Sequence, residues 1–292
     1  MLRRRFHAMG TGCKLFLKAR PRPEALRAMA EAEREVRRLE RIFSRFDPDS
    51  ELSGLNRRGT LRVGPELLEV VDLALAARER TGGRFDPTVH DALVAAGYDR
   101  TFEEVSAHDL GGGDDPGASS NLRCGGSVRV DRETRTIQLD PGVHLDLGGI
   151  AKGYAVDRAA EVLGELGPCL VDAGGDIAAR GGGWPIGLDI GDGTLTLELG
   201  DGAVATSGRD RRHWTRGSEE LHHIIDPATG VPAAGDLLRV TAVAATATEA
   251  EVRAKALFLA GAADAEREAN ATATPAVLVT LDGRTLFTGG LA

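Results

Sequence analysis

Aromatic residues are scarce in this 292-residue chain: two Trp, two Tyr and eight Phe make up 4% of it, so its core must be built mainly from aliphatic and small side chains. Cysteine is scarcer still. Cys13, Cys124 and Cys169 are odd in number, scattered and without metal-type spacing, which excludes a disulfide framework and a cysteine zinc site and predicts a reducing compartment. No apolar run reaches the ~18 residues of a membrane span. The opening Met1-Leu-Arg-Arg-Arg-Phe-His-Ala-Met-Gly10 leads into no signal-peptide apolar segment, so a soluble, cytoplasmic protein without membrane insertion is expected. A basic excess is also missing: 36 Lys plus Arg stand against 44 Asp plus Glu, a formal net charge of -8, and the Arg3-Arg4-Arg5 tract is short and local. Nucleic acid is therefore not an expected partner.

What is present is 42% hydrophobic content, enough for a substantial core. Residues 6–18 suggest a first strand, and Pro23 opens a helix to about Phe46 with apolar residues at helical spacing. A polar loop, 47–56, precedes a second helix over 65–80 that stops at Gly82-Gly83. Alternation predicts strands at 128–130, 135–139 and 143–147, then a helix over 150–166 and a strand at 169–172. Further strands are expected at 185–190, 194–199, 203–206 and 238–245, a helix at 248–260, and a closing hairpin over 277–287 turned at Asp282-Gly283. Strands in runs with helices between the runs predict an α+β fold of mixed or antiparallel sheets packed with helices. We expect one domain over 1–292, with a flexible Gly-, Ser- and Asp-rich insert around 106–126.

The stretch Leu145-Asp-Leu-Gly-Gly-Ile-Ala-Lys-Gly-Tyr-Ala-Val-Asp157 reads as a strand breaking at two glycines into a helix. Gly148 and Gly149 let backbone approach a ligand, the helix start offers N–H groups and a positive dipole end, and Lys152 adds a full charge: the elements of a phosphate site. Asp146 is a candidate ribose, amide or metal partner. Ordinary packing is the alternative for such a junction taken alone.

Four other motifs accompany it: Phe43-Ser-Arg-Phe-Asp-Pro-Asp-Ser-Glu-Leu-Ser-Gly-Leu-Asn56, Gly82-Gly-Arg-Phe-Asp-Pro-Thr88, Ala205-Thr-Ser-Gly208 and His223-Ile-Ile-Asp-Pro-Ala-Thr-Gly230. In content and order the five resemble the ApbE-like family, the FAD:protein FMN transferases, over nearly the whole chain. The resemblance implies a protein that binds FAD, splits its pyrophosphate with Mg2+ and links FMN through a phosphoester to a Ser or Thr hydroxyl of an acceptor flavoprotein, releasing AMP. It implies a flavin-nucleotide pocket formed by Met9, Phe46, Asn56, Arg84, Phe85, Asp86, Asp146, Gly148, Lys152, Ser207 and Ile225, and a metal held by the Gly149 carbonyl. His223 is the expected acid–base residue and Lys152 the expected cation on the phosphates. Plainer roles stand beside these: core for Phe46, a cap or turn for Asn56, a turn start for Asp86 and Asp226, a strand end at Ser207, and a solvated loop for Arg211 and Arg212.

One helix departs from the family pattern, in which an Asp and, four residues later, a Thr reach the metal. Here the positions hold Glu251 and Lys255. Glu251 can still ligate a metal, whereas a protonated Lys repels one. Lys255 therefore pairs with Glu251 on the helix surface or stands in for the ion. FAD binding without transfer, and FAD hydrolysis, are the alternative activities. The chain carries no Asp-x-x-Ser/Thr-Gly-Ala-Thr acceptor motif of its own.

Overall fold

The computed structural model describes residues 1–107, 124–191, 193–217 and 219–291. The chain opens with β1 (Leu2–Ala8), β2 (Thr11–Leu17), α1 (Pro23–Phe43), α2 (Glu51–Arg58), β3 (Thr60–Arg62), α3 (Pro65–Arg80), α4 (His90–Ala95) and α5 (Phe102–Ala107). Next come β4 (Val128–Asp131), β5 (Thr136–Leu139), α6 (Ala151–Gly164), β6 (Cys169–Ala173), β7 (Asp176–Arg180), β8 (Trp184–Asp189), β9 (Thr194–Leu199) and β10 (Gly202–Gly208). It closes with β11 (His213–Arg216), β12 (Glu219–His222), β13 (Ile225–Asp226), β14 (Val231–Pro232), β15 (Leu237–Ala244), α7 (Ala247–Ala260), α8 (Ala262–Ala271), β16 (Ala276–Thr280) and β17 (Thr285–Thr288). The α+β class is as the sequence predicts. Most of the insert expected around 106–126 lies outside the described residues. No helix among those described is long and apolar enough to cross a membrane.

Two compact units emerge: Met1–Glu40 with Ile150–Gly208 and Gly235–Ala292, and Arg41–Gly149 with Arg209–Ala234. The first is built on an eight-stranded sheet in the order β1-β2-β6-β7-β10-β15-β16-β17, antiparallel at every pairing. The single strand expected over 6–18 is a hairpin. Met9 and Gly10 both take positive φ, 56° and 61°, the two-residue turn whose twist suits paired strands, and Met9 donates its N–H to Glu40 at 2.6 Å. Helix α6 packs on β6 and β7, and α7 on β10 and β15. The β8–β9 hairpin brings Trp184, Ile186, Leu188 and Leu199 against Leu170, Ala179, Val204 and Val277 of the sheet. All five residues of β16 are buried, as in a strand covered on both faces.

In the second unit, residues 51–58 form a helix where a loop was expected. Ser50 caps it by accepting the Ser53 N–H, and Gly59 ends it in the left-handed conformation. Helix α1 stops at Phe43, three residues short of expectation, because Ser44 Oγ takes the N–H groups of Phe46 and Asp47 into a turn. A small sheet, β3-β5-β4, carries two of the expected strands. Residues 143–147, expected as a third, join no ladder. Asn56 instead accepts the Leu145 N–H at 2.8 Å and donates to its carbonyl at 2.9 Å, and Asp146 donates its N–H to Pro87. One side-chain amide thus serves as the strand partner of this segment. The apolar centre of the unit gathers Leu93, Tyr98, Val105, Trp214, Leu221 and Ile225.

Candidate functional site

In the first unit, Lys152 lies in the first turn of α6 between two buried carboxylates. Its ammonium pairs with Asp176 at 2.6 Å and with Glu251, while the second oxygen of Glu251 accepts the Gly153 N–H at 2.9 Å. The Glu251 carboxylate therefore sits against the start of α6 and its lysine, the position in which the sequence predicts phosphate. The approach is close because residue 153 is glycine: a Cβ there would lie 2.5 Å from the carbonyl oxygen of Ala247. Asp157, one turn further on, accepts the N–H groups of Ala247 and Thr248 and the Thr248 hydroxyl at 2.7, 2.9 and 2.7 Å, fixing the start of α7. Burial raises the Asp157 pKa above the usual carboxylate range, against the pull of those hydrogen bonds. Of the other residues expected at the site, Met9 occupies the β1–β2 turn, Ser207 is buried on β10, and Lys255 is half-buried on α7. Asp176 was not foreseen; it opens β7 directly after Gly174-Gly175, where the sequence reading ends a strand.

In the second unit, Asp146 is held by a residue that sequence reasoning passed over. Arg45 pairs with Asp146 at 2.7 Å, donates to the Tyr98 carbonyl at 2.6 Å, and lies 4.1 Å from the Phe46 ring centroid and 4.6 Å from that of Tyr98. Its place just beyond the α1 stripe gave no periodic signal, although it lies inside the quoted Phe43–Asn56 motif. The other Asp146 oxygen accepts the Gly148 N–H, which tightens the two-glycine turn. Phe46 is 36% exposed, so it presents a ring surface instead of filling core. Asn56, on α2, holds Leu145 next to Asp146.

Asp86 starts a turn, accepting the Thr88 N–H and hydroxyl at 2.8 and 2.7 Å, and pairs with Arg78 at 3.2 Å. Phe85 beside it is buried, and Arg84 donates to the Thr81 carbonyl. Of the two adjacent histidines, His222 is buried on Ala233 and His223 is half-buried, with Nδ1 3.3 Å from the Arg212 carbonyl. The His223 backbone bonds the same carbonyl, and Ile225 follows, buried on β13. Arg211, exposed, and Arg212, half-buried, lie outside the strands just before the β11–β12 hairpin, as a surface loop would place them, and the hairpin's Trp214 is buried and donates to the Ala96 carbonyl.

The whole-chain comparisons agree with the quoted motifs. The protein is 31% identical over 271 residues to a FAD:protein FMN transferase of Treponema pallidum, covering 81% of this chain and 72% of that one. It is 27% identical over 240 residues to a FAD:protein FMN transferase of Klebsiella pneumoniae, covering 76% and 67%. The crystal structure of the ApbE protein of Thermotoga maritima superposes with a TM-score of 0.83 at 28% identity over 98% of this chain and 96% of that one. The flavin transferase ApbE of Vibrio cholerae, 23% identical, shares the fold with a TM-score of 0.78 over 98% and 96%. With the ApbE family model also matching residues 9–278, the chain belongs to the ApbE family.

Proposed function

We propose that this protein transfers FMN from FAD to a Ser or Thr hydroxyl of an acceptor flavoprotein and releases AMP. The observation that carries the reading is the 31% identity, across 81% of the chain, to a FAD:protein FMN transferase. The acceptor hydroxyl oxygen attacks the FMN phosphorus, the bond from that phosphorus to the bridging oxygen breaks, and AMP departs with that oxygen. His223 takes the hydroxyl proton, and Lys152, oriented by Glu251 and Asp176, supplies positive charge to phosphate oxygens. Asp146, fixed by Arg45 and by the Gly148 N–H, and the exposed face of Phe46 suit a flavin nucleotide. Residues 1–292 are read as one ApbE-like domain because the family match runs across segments of both compact units. A cytoplasmic location belongs to the same reading and is supported by three unbridged cysteines.

The Mg2+ implied by the family pattern does not fit the residues around Glu251. A divalent cation wants several oxygen ligands, yet both Glu251 oxygens are taken, one by the Lys152 ammonium and one by the Gly153 N–H, and Lys255 lies one turn further along α7.

The test is to incubate the protein with FAD and a purified acceptor carrying a Ser/Thr flavinylation motif, and to weigh the acceptor by mass spectrometry. A gain of one FMN phosphoester is expected, with loss of labelling in His223→Ala. Bound FAD with an unlabelled acceptor would overturn the transferase reading in favour of FAD storage, and free FMN with AMP would make the chain a pyrophosphatase. Parallel reactions in EDTA and in added Mg2+ report whether the cation is required.

A further inference from the structure

Two imidazoles and one carboxylate converge in the second unit, and the transfer as proposed above gives none of them a role. His90 Nδ1 lies 2.8 Å from Asp91 Oδ1, and His144 Nδ1 lies 2.9 Å from both Asp91 oxygens. The three donor atoms all fall within 4.8 Å of one another. The rings do not stack: their centroids are 5.6 Å apart and their planes 54° from parallel, so each ring edge is turned to the carboxylate. All three side chains are partly exposed, which leaves a path from solvent and room for water.

We propose that His90, Asp91 and His144 form a binding site for a divalent transition-metal ion of the Zn2+ class, with water completing the shell. The donor set decides the class: two nitrogens and one oxygen suit Zn2+, Co2+ or Ni2+, whereas Mg2+ and Ca2+ call for oxygens throughout. Ligands at about 2.0–2.1 Å around a tetrahedral ion stand about 3.3 Å apart, so each imidazole nitrogen has to move about half an ångström from the Asp91 carboxylate, and the three donor atoms already lie within 4.8 Å of one another.

The placement gives the site a purpose. His90 and Asp91 begin α4, two residues beyond the Arg84–Thr88 stretch, and His144 precedes the Leu145–Gly149 stretch. An ion here clamps together, inside one unit, the two segments that carry Asp86 and Asp146. It uses none of the residues around Glu251, and its test does not depend on transferase activity.

The full chain, stripped with chelator and dialysed, is titrated with CoCl2 while visible d–d absorption is followed, and the bound Co2+ is then displaced with ZnCl2. One equivalent should saturate the signal and Zn2+ should raise Tm. His144→Gln and Asp91→Asn should each weaken binding at least tenfold, and His213→Gln should leave it unchanged. Circular dichroism of the metal-free variants checks folding, and His90→Gln replaces either variant that fails it. No Co2+ spectrum at millimolar metal, or equal affinity in the folded variants, overturns the proposal.

Discussion

Gly153→Ala should destabilise this protein, although alanine is the best helix former and glycine among the worst. Within a helix the exchange alone favours Ala by about 1 kcal/mol, and by less in the first turn, where residue 153 stands. Against that gain, a Cβ would lie 2.5 Å from the Ala247 carbonyl oxygen and 2.7 Å from both the Ala247 carbonyl carbon and the Thr248 nitrogen, where ordinary contact begins at 3.4 Å. These are backbone atoms, and Asp157 pins them through three hydrogen bonds, so no flexible side chain can swing aside. Separating α6 from α7 falls in the range of core overpacking, about 1–3 kcal/mol. The net loss is on the order of 1–2 kcal/mol, or a Tm lower by roughly 2–3 °C for a chain of this size. Thermal melts followed by circular dichroism measure it, and the shift should also move Glu251 away from the Gly153 N–H. An unchanged or higher Tm would refute the close crossing of the two helices.

Asp157→Asn keeps the shape but replaces an acceptor oxygen by a donor facing N–H groups, so it should cost about 1–3 kcal/mol in urea unfolding. Lys152→Met leaves Glu251 and Asp176 buried without a cation and should cost roughly 3–5 kcal/mol, whereas Glu251→Gln should cost less because Lys152 keeps Asp176. The reverse order in denaturation would break that account. Burial, opposed by a hydrogen bond with the Ala233 carbonyl, holds His222 below the ordinary histidine range. The unfolded chain then takes up protons more readily than the folded one. His222's contribution is complete above pH of about 6.5 and is lost as pH falls toward the folded value. Urea midpoints at pH 8 and pH 5.5 should show this loss, with a flatter dependence in His222→Gln.

Much of the fold could be read from the chain because long amphipathic runs and Gly or Pro stops are local signals. The helix from Pro65 to Arg80 matches its expectation to the residue, and the strands near 169–173, 184–189 and 194–199 match within a residue. What escaped was set by side chains bonding backbone. Ser50 turns a polar stretch into α2, Asn56 supplies the hydrogen bonds that a neighbouring strand would give residues 143–147, and Met9 accepts a left-handed turn that splits one expected strand into two. The sequence names Lys152, Asp146 and Glu251 as candidates, but not that Glu251 binds Lys152 or that Arg45 holds Asp146. Asp176 and Arg45 stand 24 and 101 residues from the partners they hold, and no spacing rule reaches that far.

The eight-stranded sheet ends at β1, with no strand beyond it among the described residues, and β1 presents Arg3, Arg4 and Arg5 as three successive exposed positions. A terminal strand offers bare amide and carbonyl groups, on which a second copy could align and a fibril could grow. Alternation puts Arg3 and Arg5 on one face of that rim and Arg4, paired with Glu33, on the other, so any copy arriving in the same way brings Arg3 and Arg5 against like charge. The basic tract thereby disfavours edge-to-edge growth at this rim.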